Sequence, residues 1–161
     1  MRPSSRLRKA GPQDCRRLWQ WRNEPGVRKA SFNSRPIPFS EHCFWYAKIL
    51  KSPATRLFIG EAGGQAVGQV RINLLGYHLA EVHIHVKKNL RGRGFGAQLL
   101  AAGCRYTFRY LRVKRILAHI RPSNKASLKL FHACGFRFAA NTRLKGQPAQ
   151  KLVLRKRSSK A

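Results

Sequence analysis

The stretch His83-Ile84-His85-Val86-Lys87-Lys88-Asn89-Leu90-Arg91-Gly92-Arg93-Gly94-Phe95-Gly96 sets a short apolar strand, a basic glycine-rich turn and the start of a helix in direct succession. Such a turn can cradle phosphate. Glycine admits dihedrals that bring backbone amides close to a ligand, and a helix N-terminus aims further amides at an anion. Arg91 and Arg93 add positive charge among Gly92, Gly94 and Gly96. Two other phosphate loops are excluded: no Gly-Lys-Ser/Thr closes the turn, and no acidic ribose partner stands at the distance a dinucleotide fold requires. Just upstream, Glu81 alternates with His83 and His85, which places all three on one face of the strand. Two histidines at i and i+2 with no third ligand at a familiar spacing do not specify a metal site, and no metal is expected.

The pattern Val86…Arg91-x-x-Gly94-x-Gly96 resembles the acetyl-coenzyme A signature of the GNAT superfamily of N-acetyltransferases. A second block, Asn124-Lys125-Ala126-Ser127-Leu128-Lys129-Leu130-Phe131-His132-Ala133-Cys134-Gly135-Phe136, resembles that superfamily's next motif, in the matching order and at a fitting separation. The resemblance covers nearly the whole chain. It implies an α/β fold of the α+β kind, with a central, mostly antiparallel mixed sheet and helices on both faces, and acetyl-coenzyme A as cosubstrate. It further implies cofactor contacts at Ile84, His85 and Val86 through their backbones, at Arg91, Gly92, Arg93, Gly94, Phe95 and Gly96 in the cradle, and at Asn124, Ser127 and Phe131. One position departs from the pattern. Many relatives place a tyrosine where this chain has Phe131, as the acid for the departing thiolate. A phenyl ring donates no proton, so the thiolate leaves unaided or takes one from Ser127, His132 or water.

Acetyl transfer to an amine requires a neutral amine, a stabilised oxyanion and a departing thiolate. The search for a base is short, because the chain has 5 acidic residues. Asp14 and Glu41 read as helix caps, Glu24 falls in a Pro-Gly turn and Glu61 ends a strand. Glu81 is the acid near the central strand. His119, in His119-Ile120-Arg121-Pro122-Ser123-Asn124, stands where several amine acetyltransferases of the superfamily have a glutamate. Histidine has suitable acidity for base work near neutrality, although a buried, hydrogen-bonded histidine would look the same in sequence. None of Cys15, Cys43, Cys104 and Cys134 lies in a nucleophile motif, which favours direct attack by the amine over a covalent intermediate.

For the acceptor, Arg22, Asn23, Arg28, Arg35 and His42 offer donors for a diphosphate and sugar hydroxyls, while Trp21 and Trp45 could stack on a ring or belong to the core. The run Leu18-Trp19-Gln20-Trp21-Arg22-Asn23-Glu24-Pro25, with Val27-Arg28, Ser31, Ile37 and Glu41-His42-x-x-Trp45, resembles enzymes that acetylate the 4-amino group of nucleotide-linked amino sugars in nonulosonic (pseudaminic) acid pathways. The substrate-binding set on that reading is Arg22, Asn23, Arg28, His42 and Trp45. A transferase for protein N-termini, such as those of ribosomal proteins, is the rival reading. A non-catalytic nucleic-acid-binding module on the same fold is a third.

Composition bears on partners. Against the 5 acids stand 34 Lys and Arg, a net charge of +29, which concentrates anions and holds nucleic acid non-specifically at low salt. The 161 residues suffice for one domain with its own core, expected over 1–154, with a basic disordered tail at 155–161. The cysteines read as small apolar residues in a reducing compartment. No membrane-length apolar run or leader-like segment is present, so a cytoplasmic protein is expected. Periodicity predicts an edge strand within Ser4 to Ala10, a helix from Gln13 to Asn23 stopped at Pro25-Gly26, and a loop over Val27 to Pro38. A helix capped by Ser40 follows, then strands from Thr55, Gln65 and Glu81, the cradle helix over Phe95 to Tyr110 and a strand over Arg115 to Ile120. The helix opened by Asn124 leads to a closing pair at Phe136 to Ala140 and Lys151 to Leu154 joined by a basic loop.

Overall fold

Alternating apolar residues in the middle of the chain assemble a seven-stranded sheet with helices packed on both faces, as seen in a computed structural model that describes residues 4–157. The strands are β1 (Arg6–Lys9), β2 (Thr55–Ala62), β3 (Gln65–Gly76), β4 (Leu79–Val86), β5 (Arg115–Ile120), β6 (Arg137–Leu144) and β7 (Gln147–Arg155), in the order β1-β2-β3-β4-β5-β7-β6. All neighbours are antiparallel except β4 and β5, which is the mixed, mostly antiparallel sheet expected. The helices are α1 (Cys15–Asn23), α2 (Pro25–Ala30), α3 (Phe39–Lys51), α4 (Phe95–Tyr110) and α5 (Lys125–Ala133).

The period-two pattern splits the strands between two layers. Val70, Ile72, Ala80, Val82, Ile116, Ala118 and Leu152 meet Leu99 and Leu100 of α4, Leu128 of α5 and Phe136. On the opposite face Leu57 and Ile59 meet Leu18 and Trp21 of α1 and Tyr46 of α3. Each such side chain, fully buried, contributes about 1.5–3 kcal/mol. Among the described residues no helix is long and apolar enough to cross a membrane.

The parallel pair is short. It joins Leu79 to Arg115, Ala80 to Ile116 and Glu81 to Leu117, and ends there. Beyond it β4 runs on to Val86 against β3 alone, and β5 to Ile120 against β7 alone. The two strands part, so from Val82 onward β4 has no strand partner on its β5 side.

Several local expectations are corrected. Pro25 opens a helix rather than stopping one, because its missing N–H costs nothing at the first helical position. The irregular segment is therefore 31–38. Ser40 lies inside the first turn of α3, where Pro38 holds the cap position. Asp14 makes no cap bond to α1; buried, it accepts from Arg8, Arg17 and the Gly11 N–H. The basic loop is a tight turn at Lys145-Gly146, with Pro148 already in β7 opposite Arg143. The tail begins later than 155, since Arg155 closes β7 and the Lys156 N–H donates to Lys114 O at 2.9 Å. Residues 158–161 of that expected tail lie outside the described residues. The cysteines, distant in sequence, are not all distant in space: Cys15 and Cys43 bring their thiol sulfurs within 3.7 Å across α1 and α3.

Two contacts set the end of β4, and each yields a test. A Cβ on Gly68 would stand 2.2 Å from His85 O, a backbone atom that cannot swing aside. Gly68→Ala is expected to cost about 3 kcal/mol, read as a shift of the urea midpoint, and a neutral variant would show that β4 yields there. The His85 ring stacks on Trp21 at 5.1 Å, and burial, then the charge of Arg91, pushes its pKa down from 6.5 to about 4. The unfolded chain takes up that proton at a higher pH than the folded one. This contribution is therefore complete above pH 6.5 and is lost as pH falls through 4. The melting temperature should fall across that window less steeply in His85→Phe than in the parent. Equal slopes would remove His85 from the account.

Candidate active site

The cradle is built by backbone. After β4 a single 3-10 turn (Lys88–Leu90) leads to Gly92 at φ 76° and Gly94 at φ 88°, left-handed values that a side chain would strain. Gly94 is the cap residue of α4 and no side chain caps that end, so the first amides of a four-turn helix face outward with its dipole behind them. Arg91 donates from Nε to Val86 O at 3.0 Å and reaches Glu24 at 3.4 Å, tying the cradle to the start of α2. Arg93 is exposed. Phe95 and Gly96 belong to the first turn of α4, while the Phe95 side chain is core and Gly96 is small because a Cβ there would press on Leu130 of α5 at 2.9 Å.

At α5, the Asn124 carboxamide oxygen accepts from Ser127 N at 3.2 Å and so caps the helix. Phe131 is buried and packs edge-on against Phe136 at 5.0 Å, which corrects it from a cofactor-facing residue to a core one. His132 Nδ1 is engaged with Phe136 O. Its Nε2, the Ser127 hydroxyl and water stay open as proton sources for a departing thiolate.

Where β4 and β5 part, titratable groups converge. His119 Nδ1 and Glu81 Oε1 are 2.7 Å apart, across strands separated by 38 residues in sequence. The other carboxylate oxygen lies 3.4 Å from His83 Nε2, and that nitrogen lies 3.4 Å from Asn73 Nδ2. Burial would raise the Glu81 pKa, but the bonds and charges of His83 and then His119 outweigh it and hold the group at about 2. Burial lowers the His83 pKa, with Glu81 opposing. Ile84 and Val86 pack toward the α4 side, leaving their backbones at the open edge of β4, while His85 stacks on Trp21. Among the described residues no group of three or more His, Cys, Asp or Glu could hold a metal.

The acceptor candidates divide. Asn23 is wholly spent on structure: its Nδ2 donates to Trp19 O and Ile37 O, and its Oδ1 accepts from Ile37 N at 2.8 Å. It is corrected from a substrate ligand to a clamp on the 31–38 segment. Arg28 serves the same segment, through Asn23 O and Ser34 O. Arg22 donates one Nη to Asn33 O at 2.6 Å while its other Nη is sealed and unpaired. His42 is buried beside Tyr46 and Trp45, with Nε2 unpaired and its pKa lowered by burial. Trp45 keeps 36% exposure, whereas Trp21 is core. Sequence reading passed over Arg71. It stands opposite His83 on β3, its guanidinium carbon is 5.5 Å from the Trp45 ring, and its Nε is sealed without a partner. The signal was available in Arg71 and Asn73 alternating with Val70 and Ile72.

Comparison with known proteins agrees with this geometry. A model of the acetyltransferase (GNAT) family matches residues 15–136. The chain is 24% identical over 119 residues to the acetyltransferase PseH of Campylobacter jejuni, covering 74% of each. It is 26% identical over 126 residues to spermidine N(1)-acetyltransferase of Vibrio cholerae, covering 76% of this chain and 73% of that one. Among solved structures, V. cholerae spermidine N-acetyltransferase in complex with CoA and spermine superposes with a TM-score of 0.85 at 22% identity, covering 94% of this chain and 95% of that one. AAC(6')-Ib in complex with ribostamycin and coenzyme A superposes at 0.84 with 18% identity, covering 98% and 99%. The uncapped amides of α4 suit a pyrophosphate, and the unpaired edge of β4 suits an amide-bearing arm. With a family match over three-quarters of its length and a cradle of that form, the chain belongs to the GNAT acetyltransferase family and is an acetyl-coenzyme A dependent N-acetyltransferase of amines.

Proposed function

We propose that the acceptor is an anionic amino sugar, nucleotide-linked through its diphosphate and acetylated at a 4-amino group, with His119 as the base that Glu81 orients. One observation carries the choice of acceptor: four of the five carboxylate side chains are already paired with the protein's own arginines, and the fifth, Glu81, is engaged by two histidines. Asp14 pairs with Arg8 and Arg17, Glu24 with Arg91, Glu41 with Arg35, Glu61 with Arg6 and Arg8, and Glu81 with His83 and His119. A polycationic acceptor such as a polyamine or aminoglycoside needs carboxylates to receive its ammonium groups, and on a chain of net charge +29 it meets repulsion instead. An acceptor whose amine is carried by a polyanion meets the opposite field. The likeness to PseH supports the same direction.

The roles within the pair follow from acidity. A carboxylate held at about 2 accepts protons poorly at neutral pH, so Glu81 is not the base. It fixes the proton of His119 on Nδ1 and thereby presents Nε2, which takes no partner among the described residues, as the proton acceptor. Bound acetyl-coenzyme A supplies an activated acyl thioester. Three of the cysteines do not compete as nucleophiles: burial and Cys43 push Cys15 to about 11, burial pushes Cys104 to about 12, and burial raises Cys134.

Coenzyme A release at about 0.15 M salt, which limits non-specific polyanion binding, should show kcat/KM for a nucleotide-linked 4-amino sugar at least tenfold above spermidine and above a peptide N-terminus. Preference for spermidine or the peptide would overturn the acceptor assignment. His119→Ala should lower kcat by about 100-fold or more, and Glu81→Gln by about tenfold, since the amide oxygen still accepts from Nδ1. The reverse ranking would make Glu81 the base.

A further inference from the structure

The acceptor face holds positive charge that is partly sealed from solvent and that the protein neutralises incompletely. Arg71 makes no hydrogen bond or ion pair among the described residues, and its Nε is sealed from solvent. Arg22 spends one Nη on a carbonyl and leaves the other sealed and unpaired. The two guanidinium groups come from β3 and α1; the Glu81 carboxylate attracts Arg71, and the charge of Arg22 opposes it. Arg28 and Arg35 add to the same field around Arg22. Arginine does not shed its proton at any working pH, so the charge stays in place although Arg71 Nε and one Nη of Arg22 are cut off from solvent. An unpaired buried donor costs about 1–3 kcal/mol and an uncompensated buried charge more. A fold carries that cost where a ligand removes it.

We propose that Arg71 and Arg22 form an anion subsite that receives a phosphoryl group of the acceptor. This deepens the reading of the acceptor as a nucleotide-linked sugar and rests on it. The position suits the task, because Arg71 pairs across strands with His83, which contacts the carboxylate bonded to His119. An anion held there tethers the acceptor beside the base. The half-exposed Trp45 ring next to Arg71 offers a flat apolar surface for the adjoining base or sugar ring. Two planar guanidinium groups match phosphoryl oxygens, and their combined charge exceeds what a single carboxylate would neutralise. The subsite is separate from the cofactor's cradle at Gly92 to Gly96, which uses backbone amides at the start of α4.

The test is calorimetric titration of inorganic pyrophosphate into the full chain saturated with coenzyme A, at about 0.15 M salt, so that the cradle is already filled. The parent should bind, Arg71→Met should weaken the dissociation constant about 100-fold, and Arg105→Met, an exposed cation on α4, should leave it unchanged. The melting temperature of ligand-free Arg71→Met should equal or exceed the parent's, since the substitution removes an unpaired buried charge and keeps the apolar stem. With the nucleotide-linked sugar, the same variant should raise the acceptor KM far more than it lowers kcat. Unchanged pyrophosphate affinity in Arg71→Met overturns the subsite, and so does a ligand-free variant destabilised as a truncated core residue would be. If pyrophosphate binds as described but the sugar is not turned over, the sugar reading fails and the subsite stands. Turnover of the sugar unaffected by Arg71→Met has the opposite meaning.

Discussion

The parting of β4 and β5 after three residue pairs is the constraint on which the site depends. Both strands are held firmly on their outer sides, β4 by β3 as far as Val86 and β5 by β7 as far as Ile120, so neither can close the gap by shifting alone. The gap leaves backbone groups of β4 without a strand partner on that side, of which Val86 O is met by Arg91 Nε, a condition that proteins tolerate where a side chain, ligand or water completes the bonds. It also places the Glu81 and His119 side chains at its mouth, since Glu81 belongs to the last pair before the strands diverge. The turn that follows β4 then delivers the cradle glycines directly beyond the gap.

The sheet's two faces divide the labour. The face toward α4 and α5 is almost purely apolar and fixes the cradle helix through Leu99, Leu100 and the close approach of Gly96 to Leu130. The face toward α1 and α3 keeps a smaller apolar core at one end, around Leu18, Trp21, Tyr46 and Ile59, and gives the rest to Arg71, Asn73, Glu81, His83 and His119. The segment 31–38 is fastened by side chains of α1 and of the turn after β5. Asn23 holds it through Ile37, Arg22 through Asn33, and Arg121 through the carbonyls of Lys29 and Ser31. Side chains that look like ligands in the sequence are thus partly the means by which an irregular segment satisfies its own backbone.

Charge is distributed by the same economy. With so few acids, each is drawn into a pairing that places an element: Asp14 and Glu61 bind Arg8 and so fasten β1, while Glu24 ties the cradle arginine to α2. The cations left over on the surface are solvated and cost little. Those left over inside the acceptor face, Arg71 and Arg22, each keep a nitrogen sealed from solvent with no partner among the described residues.

The sequence by itself determined the elements whose cause is local. Glycine spacing after an apolar strand specified the cradle, Asn124 and Gly135 marked the ends of α5, and period-two alternation put Glu81, His83 and His85 on one face. Those signals lie within a few residues of what they predict. Where competing local rules met, at Pro25 or Ser40, the fold chose between them by packing. Tertiary structure alone decided which polar groups are spent and which are free. Asn23 and Arg71 could not be ranked in sequence, because a side chain's partner depends on cross-strand register and helix docking between residues far apart in the chain. The sequence supplied the donors; only the packed fold left Arg71 without an acceptor and consumed every one that Asn23 offers.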